Sequence, residues 1–232
     1  GFAVAGILLS GFRNYLLWAM AAFGLGAWLH GGWRELCRTA AVGVVAGAVL
    51  LPLQGRLFEL PASAQRALCF LPGKWSPLVV EDARGSTEWR LNMWQQVLEY
   101  RLINDWWLGD GFGVRASDFR ASLQSTDAEA ELLLGAYHSG PLSTIRYAGL
   151  VGLGLLYVLM AAGAWYGYRC FQQCRGTPLQ AAAGFLAIMA LWTPVHFTLV
   201  FGSYDSHMPW ECLRVALLLL VFRAAAAYQQ PA

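Results

Sequence analysis

Charge is what this chain has least of. Only 13% of its 232 residues are Asp, Glu, Lys or Arg, where a soluble domain carries about a quarter. That scarcity excludes an ordinary soluble fold, which would need a polar shell these residues cannot build. A formal net charge of +2 gives no electrostatic footprint for nucleic acid. Cysteine is sparse too: Cys37, Cys69, Cys170, Cys174 and Cys212 are scattered and odd in number, so no disulfide framework is expected. Cys170 and Cys174 lie one helical turn apart, but without a second pair or a nearby histidine they do not form a zinc site. No basic n-region or cleavage site precedes the first apolar run, so that run is not read as a signal peptide. Gly1 falls inside the run, and the expectation is a fragment whose earlier spans lie upstream.

What is present is long apolar sequence. A spanning helix needs about 20 mostly apolar residues, and the stretches 14–33, 39–55, 147–168 and 176–204 contain no Asp, Glu, Lys or Arg. Residues 1–12 read as the end of another span. Residues 208–228 make a weaker one, interrupted by Glu211, Arg214 and Arg223. Backbone in lipid must satisfy its own hydrogen bonds, so these runs should be helices. Gly43/Gly47 and Gly163/Gly167 place small residues on one helix face, which favours close helix approach.

The charges that do exist are concentrated. Twenty of the thirty lie between Gln54 and Arg146. The expected fold is an all-α, polytopic membrane helix bundle with one long extracytoplasmic loop containing short helices. Its parts are transmembrane helices over 1–53, the loop region over 54–138, and transmembrane helices over 139–232. Arg34, Arg38, Arg169, Arg175 and Arg223 fall on one side of alternating spans, and the positive-inside rule makes that side the cytoplasm. The long loop then faces the periplasm or exterior of a bacterial inner (plasma) membrane, as do Arg13 and the turn at 203–209.

Within the loop, 60–77 reads as irregular. Ser86 or Thr87 could cap a helix running from Trp89 to Ile103, with Trp89, Met93, Val97 and Tyr100 as an amphipathic stripe. Trp106 and Trp107 fit an interfacial helix, and 109–113, with glycine at every second position, reads as a tight turn. No strand–turn–helix context makes those glycines a nucleotide fingerprint.

Four side chains could carry chemistry: Arg13, Arg90, His138 and Arg146. Each taken alone has a plain reading, as a snorkelling helix-end arginine, a solvated charge or an interfacial histidine. Together they suit a phosphate-bearing lipid substrate. The guanidinium fork binds phosphate oxygens in pairs, and imidazole can take a proton near neutral pH. Asp110 and Asp118 lack a convincing second carboxylate for a divalent ion, and no metal or other cofactor is expected. His196, near Pro194 in a span, reads as a buried histidine, with proton relay as the alternative. Asp205 and His207 lie in an outward turn that could close over the site.

Four landmarks in order resemble the O-antigen ligase/polymerase superfamily: Ser10-Gly11-Phe12-Arg13, Arg90-x3-Trp94, Gly109-x-Gly111-x-Gly113, and His138-Ser139-x2-Leu142-x6-Gly149-Leu150-x-Gly152. The resemblance covers essentially the whole chain as the C-terminal half of a longer member. Ser139 stands where the family usually has Asn, and Trp107-Leu108 where it often has Pro-Leu. The resemblance implies a metal-independent, inverting membrane glycosyltransferase. It would move a polyprenyl-diphosphate-linked glycan to a lipid or saccharide acceptor, as in lipopolysaccharide assembly. It also implies that Arg13 and Arg90 hold the diphosphate and that His138 serves the acceptor hydroxyl; no landmark supports Arg146, which stands as a candidate substrate-binding residue on its chemistry alone. A transporter or flippase of lipid-linked saccharide, or a non-catalytic assembly protein, would share the apolar spans. The concentration of charge in one external loop favours the enzyme over a transporter, which usually places its charges at the midplane.

Overall fold

A computed structural model describes residues 13–113, 116–135, 137–200 and 202–228, with nothing said of the side chains of Arg13, Ala116, Ser117, Asp127, Ala128, Asp205, Ser206 and Tyr228. Residues 1–12, and with them Ser10, Gly11 and Phe12 of the first landmark, lie outside the described residues. The described part is helical: α1 (Arg13–Leu50), a short 3-10 turn (Leu51–Leu53), α2 (Ala62–Leu68), α3 (Pro77–Glu99), α4 (Ala116–Ser122), α5 (Asp127–Leu134), α6 (Gly140–Gln173), α7 (Gln180–Leu199) and α8 (Tyr204–Tyr228). The expected all-α membrane architecture is what the residues build. Three stretches, Asn14–Leu53, Gly140–Gln173 and Gln180–Leu199, are long and apolar enough to cross a bilayer; α8 is not among them. Two compact units divide the chain, residues 1–89 and 90–232, so that α3 contributes to both.

In the first unit, the two expected spans 14–33 and 39–55 form one helical stretch broken at Gly32. There φ is 66° and ψ −155°, a region essentially reserved for glycine. The break bends the chain enough that a Cβ on Gly24 would sit 3.6 Å from the Leu36 side chain. Arg38 and Glu35 pair at 3.6 Å just beyond it. The segment 60–77, expected to be irregular, instead contains α2. Two buried glutamines hold it together: Gln54 Oε1 accepts from the Leu60 amide, Gln65 Nε2 donates to the Leu60 carbonyl, and Gln65 Oε1 accepts from the Ser76 amide. These bonds satisfy backbone groups that a coil would have left to water.

Helix α3 begins at Pro77 rather than near Ser86. Proline suits a first helical turn because its missing N–H would have no partner there anyway, and the Val79 and Val80 amides both donate to the Ser76 carbonyl. Thr87 lies inside the helix and donates to the Ala83 carbonyl. The stripe of Trp89, Met93 and Val97 is present, with Met93 and Val97 buried, but Tyr100 is exposed because α3 ends at Glu99.

The second unit is built on α6, α7 and α8. Gly167 allows α7 to come close, since a Cβ there would lie 3.1 Å from the Ala187 backbone and 3.2 Å from Ala190 Cβ. This is the small-residue packing by which helices associate in lipid. One end of the bundle is filled by Cys170, Cys174, Ala183, Leu186, Ala190, Leu218 and Ala225, and further along by Leu156, Met160 and Phe197. A third cluster, Val97, Ile103, Tyr137 and Ile145, ties α3 and the loop to the start of α6. Glu211 and Arg214 pair one turn apart on α8 and are both buried, with Glu211 facing Gly163 of α6. That accounts for two of the three charges interrupting the weakest apolar run.

Candidate functional site: a helix break held by the glycine turn

Helix α6 is not continuous. At Gly149, φ is 67° and ψ −174°, which leaves nearby carbonyls and amides without helical partners. The loop fills them reciprocally. The Asp110 and Gly111 amides donate to the Arg146 and Tyr147 carbonyls at 2.8 and 3.1 Å, and the Leu150 and Val151 amides donate to the Trp106 and Trp107 carbonyls at 2.8 and 3.2 Å. Glycine is required on both sides. A Cβ on Gly149 would lie 2.0 Å from the Trp107 carbonyl oxygen, and one on Gly109 2.6 Å from the amides of Ala148 and Gly149. The two glycine landmarks are therefore the two halves of one joint. Trp106 and Trp107, expected on an interfacial helix, form its tight turn instead, because their carbonyls are committed to α6.

Asp110 organises this joint. Its carboxylate accepts from the Asn104 amide and side chain and from the Asp105 amide, and lies 3.0 Å from Arg146 Nη1. Both side chains are nearly inaccessible, 6% exposed for Asp110 and 8% for Arg146. The guanidinium contact is a close charge pair without an aligned hydrogen bond from Nη1. Burial pushes the Asp110 carboxyl up, but the Asn104 and Asp105 hydrogen bonds and the Arg146 charge outweigh it and hold it below the ordinary 3.8. Arg146 also adjoins the Tyr137 hydroxyl, whose own ionisation burial raises above 10.0 against the pull of that guanidinium.

His138 stands at the mouth of α6. Tyr137 before it is buried and its carbonyl accepts from Trp94 Nε1 at 2.8 Å. Ser139 after it caps α6, its hydroxyl accepting from the Leu142 amide at 3.4 Å. Between these anchors His138 takes φ of 48°, left-handed backbone that costs a non-glycine residue roughly 1–2 kcal/mol. Its Nε2 lies 3.3 Å from Glu131 Oε2 on α5. Arg90 lies one turn before Trp94 on α3, half-buried on the same side as Met93 and Val97, three and seven residues on, spacings that share a helix face.

Arg90 and His138 lie in one unit, where the Trp94–Tyr137 bond links their neighbourhoods, and Arg146 lies in the joint against Asp110. Arg13 opens α1 in the other unit, and its side chain lies outside the described residues. In the glycine turn, the Phe112 ring stacks on Tyr147 of α6 at 5.7 Å and meets Tyr204 of α8 at 5.3 Å. Gly202 abuts Gly140, a Cβ on it falling 2.8 Å from the Gly140 Cα. The turn expected at 203–209 is the first turns of α8, with His207 stacked on His196 at 5.9 Å; the Asp205 side chain lies outside the described residues. Sequence reasoning missed Asp110 as a structural centre and Glu131 altogether. A carboxylate one residue inside a glycine turn, and another seven residues before a landmark histidine, were the available signals.

The O-antigen ligase family model matches residues 1–157, which takes in all four landmarks. The chain belongs to the O-antigen ligase family. Membership gives it, in general terms, a membrane glycosyltransferase-like role with a lipid-linked glycan and an acceptor as partners. No curated protein matches it, and no solved structure does.

Proposed function

We propose that this protein transfers a glycan from a polyprenyl-diphosphate carrier to an acceptor hydroxyl at the non-cytoplasmic face of the bacterial inner membrane. The observation that carries the reading is the link from α3 to the mouth of α6. The half-buried Arg90 stands one turn from Trp94, whose indole binds the residue preceding His138. A permanent cation and an ionisable imidazole at one membrane edge match a reaction whose leaving group is an anionic diphosphate.

In this reading Arg90 binds the diphosphate and stabilises the charge that grows on it as the glycosidic bond breaks, in place of a metal ion. His138 accepts the proton of the acceptor hydroxyl, whose oxygen attacks the anomeric carbon from the opposite side, with inversion. Arg146 supports the site indirectly: paired with Asp110, it keeps the glycine turn and the start of α6 in register.

The test is transfer by the purified full-length protein in nanodiscs, using a polyprenyl-diphosphate glycan donor. Arg90→Ala and His138→Ala should each lose at least about a hundredfold in rate, the scale of one acid–base or charge-stabilising group, with thermal unfolding unchanged. Parental rates in both variants would refute the assignment.

A further inference from the structure

Glu131 takes no part in binding the donor or in bond making, yet its surroundings are built rather than incidental. Helix α5 is closed at both ends. Glu129 reaches back to the Thr126 amide at 3.1 Å, a capping-box contact that fixes the helix start. At the other end Gly135, with φ of 79°, donates its amide to the carbonyls of Glu131 and Leu132. Gly135 in turn rests on Arg146, since a Cβ on it would meet Arg146 Cγ at 3.4 Å. The backbone of Glu131 is therefore fixed relative to the α6 joint, and its carboxylate oxygen lies 3.3 Å from His138 Nε2. His138 meets it from a left-handed conformation held by Tyr137 on one side and Ser139 on the other.

Backbone strain at a histidine, sustained by anchors on both sides and directed at a carboxylate, is the arrangement that fixes a general base. We infer that Glu131 is the positioning residue for His138. It holds the imidazole as the Nε2–H tautomer and stabilises the imidazolium formed during transfer. This rests on the reading of His138 as the base.

The acceptor O–H bond breaks and its proton goes to Nδ1, the ring nitrogen that carries the lone pair when Nε2 is protonated. The oxygen–C1 bond forms, the C1–O bond to the diphosphate breaks, and that electron pair leaves with the phosphate. The cationic ring then lies against the Glu131 carboxylate, which does not itself take the proton, the division of labour of an orienting carboxylate in a hydrolase triad. With the pair part-exposed, at 28% for the histidine side chain and 39% for the glutamate, solvent screens some of the effect.

Two readouts test this on the full-length protein. The first is transfer kinetics of Glu131→Ala and Glu131→Gln. The second is the nitrogen-15 NMR signature of His138 in histidine-labelled protein, assigned by its loss in His138→Asn. Glu131→Ala should lower kcat about tenfold to a hundredfold, the range for orienting partners, leave KM for the donor unchanged, and convert the Nε2–H signal to a mixture of tautomers. Glu131→Gln, which keeps an oxygen acceptor without the charge, should retain the tautomer while still losing rate. Parental kcat and an unchanged tautomer in Glu131→Ala, alongside an inactive His138→Ala, would overturn the role of Glu131 and leave the proposed reaction standing. Parental activity in His138→Ala would remove both.

Discussion

Asp110 grips Arg146 twice, its amide donating to the Arg146 carbonyl at 2.8 Å and its carboxylate lying 3.0 Å from the Arg146 guanidinium. One contact fills an orphan carbonyl at the α6 break, and the other neutralises a charge that burial would make costly. Removing either partner leaves the other charge buried, a loss of about 3–5 kcal/mol. Asp110→Ala and Arg146→Ala should each destabilise by about that much in chemical denaturation. The double variant should fall well short of the sum, because both changes break the same pair. Additive losses would mean the two residues act independently.

The same pair sets a pH dependence. The folded-state carboxyl of Asp110 is held below 3.8, so its contribution is complete above that value and drains away as pH falls toward the lower folded value. Hydrogen exchange at the amides of Asp110, Gly111, Leu150 and Val151 should stay slow at neutral pH. It should accelerate selectively in acid below 3.8, and Asp110→Asn should abolish the selectivity.

Gly149 meets the Trp107 carbonyl with no room for a methyl group and lies in backbone space that other residues avoid. Gly149→Ala should therefore cost about 2–3 kcal/mol and free the 106–111 turn, read as faster exchange at the Leu150 and Val151 amides. Gly154→Ala, where a Cβ would meet nothing within 4 Å, is the control and should be neutral or slightly stabilising.

These contrasts also show what could be read in the sequence. The all-helical membrane architecture followed from the charge-free runs, and the packing glycines at 163 and 167 from their spacing. The landmarks were visible as motifs, but that 109–113 and 149–152 form one joint was not, because a backbone-to-backbone dock leaves no side-chain pattern. Tertiary bonds from two buried glutamines gave order to a segment that composition marks as coil. The start of α3 was misplaced because Ser86 and Thr87 look like caps, while the operative start was Ser76-Pro77. Glu131 was missed because its partner lies across the α5–α6 link, where a spacing in sequence does not by itself imply a shared helix face.

Buried charge on α8 makes a separate prediction. Glu211→Ala or Arg214→Ala alone should destabilise by about 3 kcal/mol, since each strands a buried charge. A double change to leucine and methionine should recover most of that loss in thermal unfolding. Failure of the double variant to recover would give the pair a role beyond packing.

In the proposed reaction a cation on α3 and an imidazole at the start of α6 serve one donor. Binding and turnover of a polyprenyl-diphosphate glycan, measured on the same nanodisc preparations of Arg90→Ala and His138→Asn, test it most directly. Asn tolerates left-handed backbone, so His138→Asn should fold normally, bind the donor as the parent does, and transfer nothing measurable. Arg90→Ala should bind at least about tenfold more weakly, as befits a lost charge-assisted contact. Parental donor affinity in Arg90→Ala together with parental turnover in His138→Asn would contradict the account.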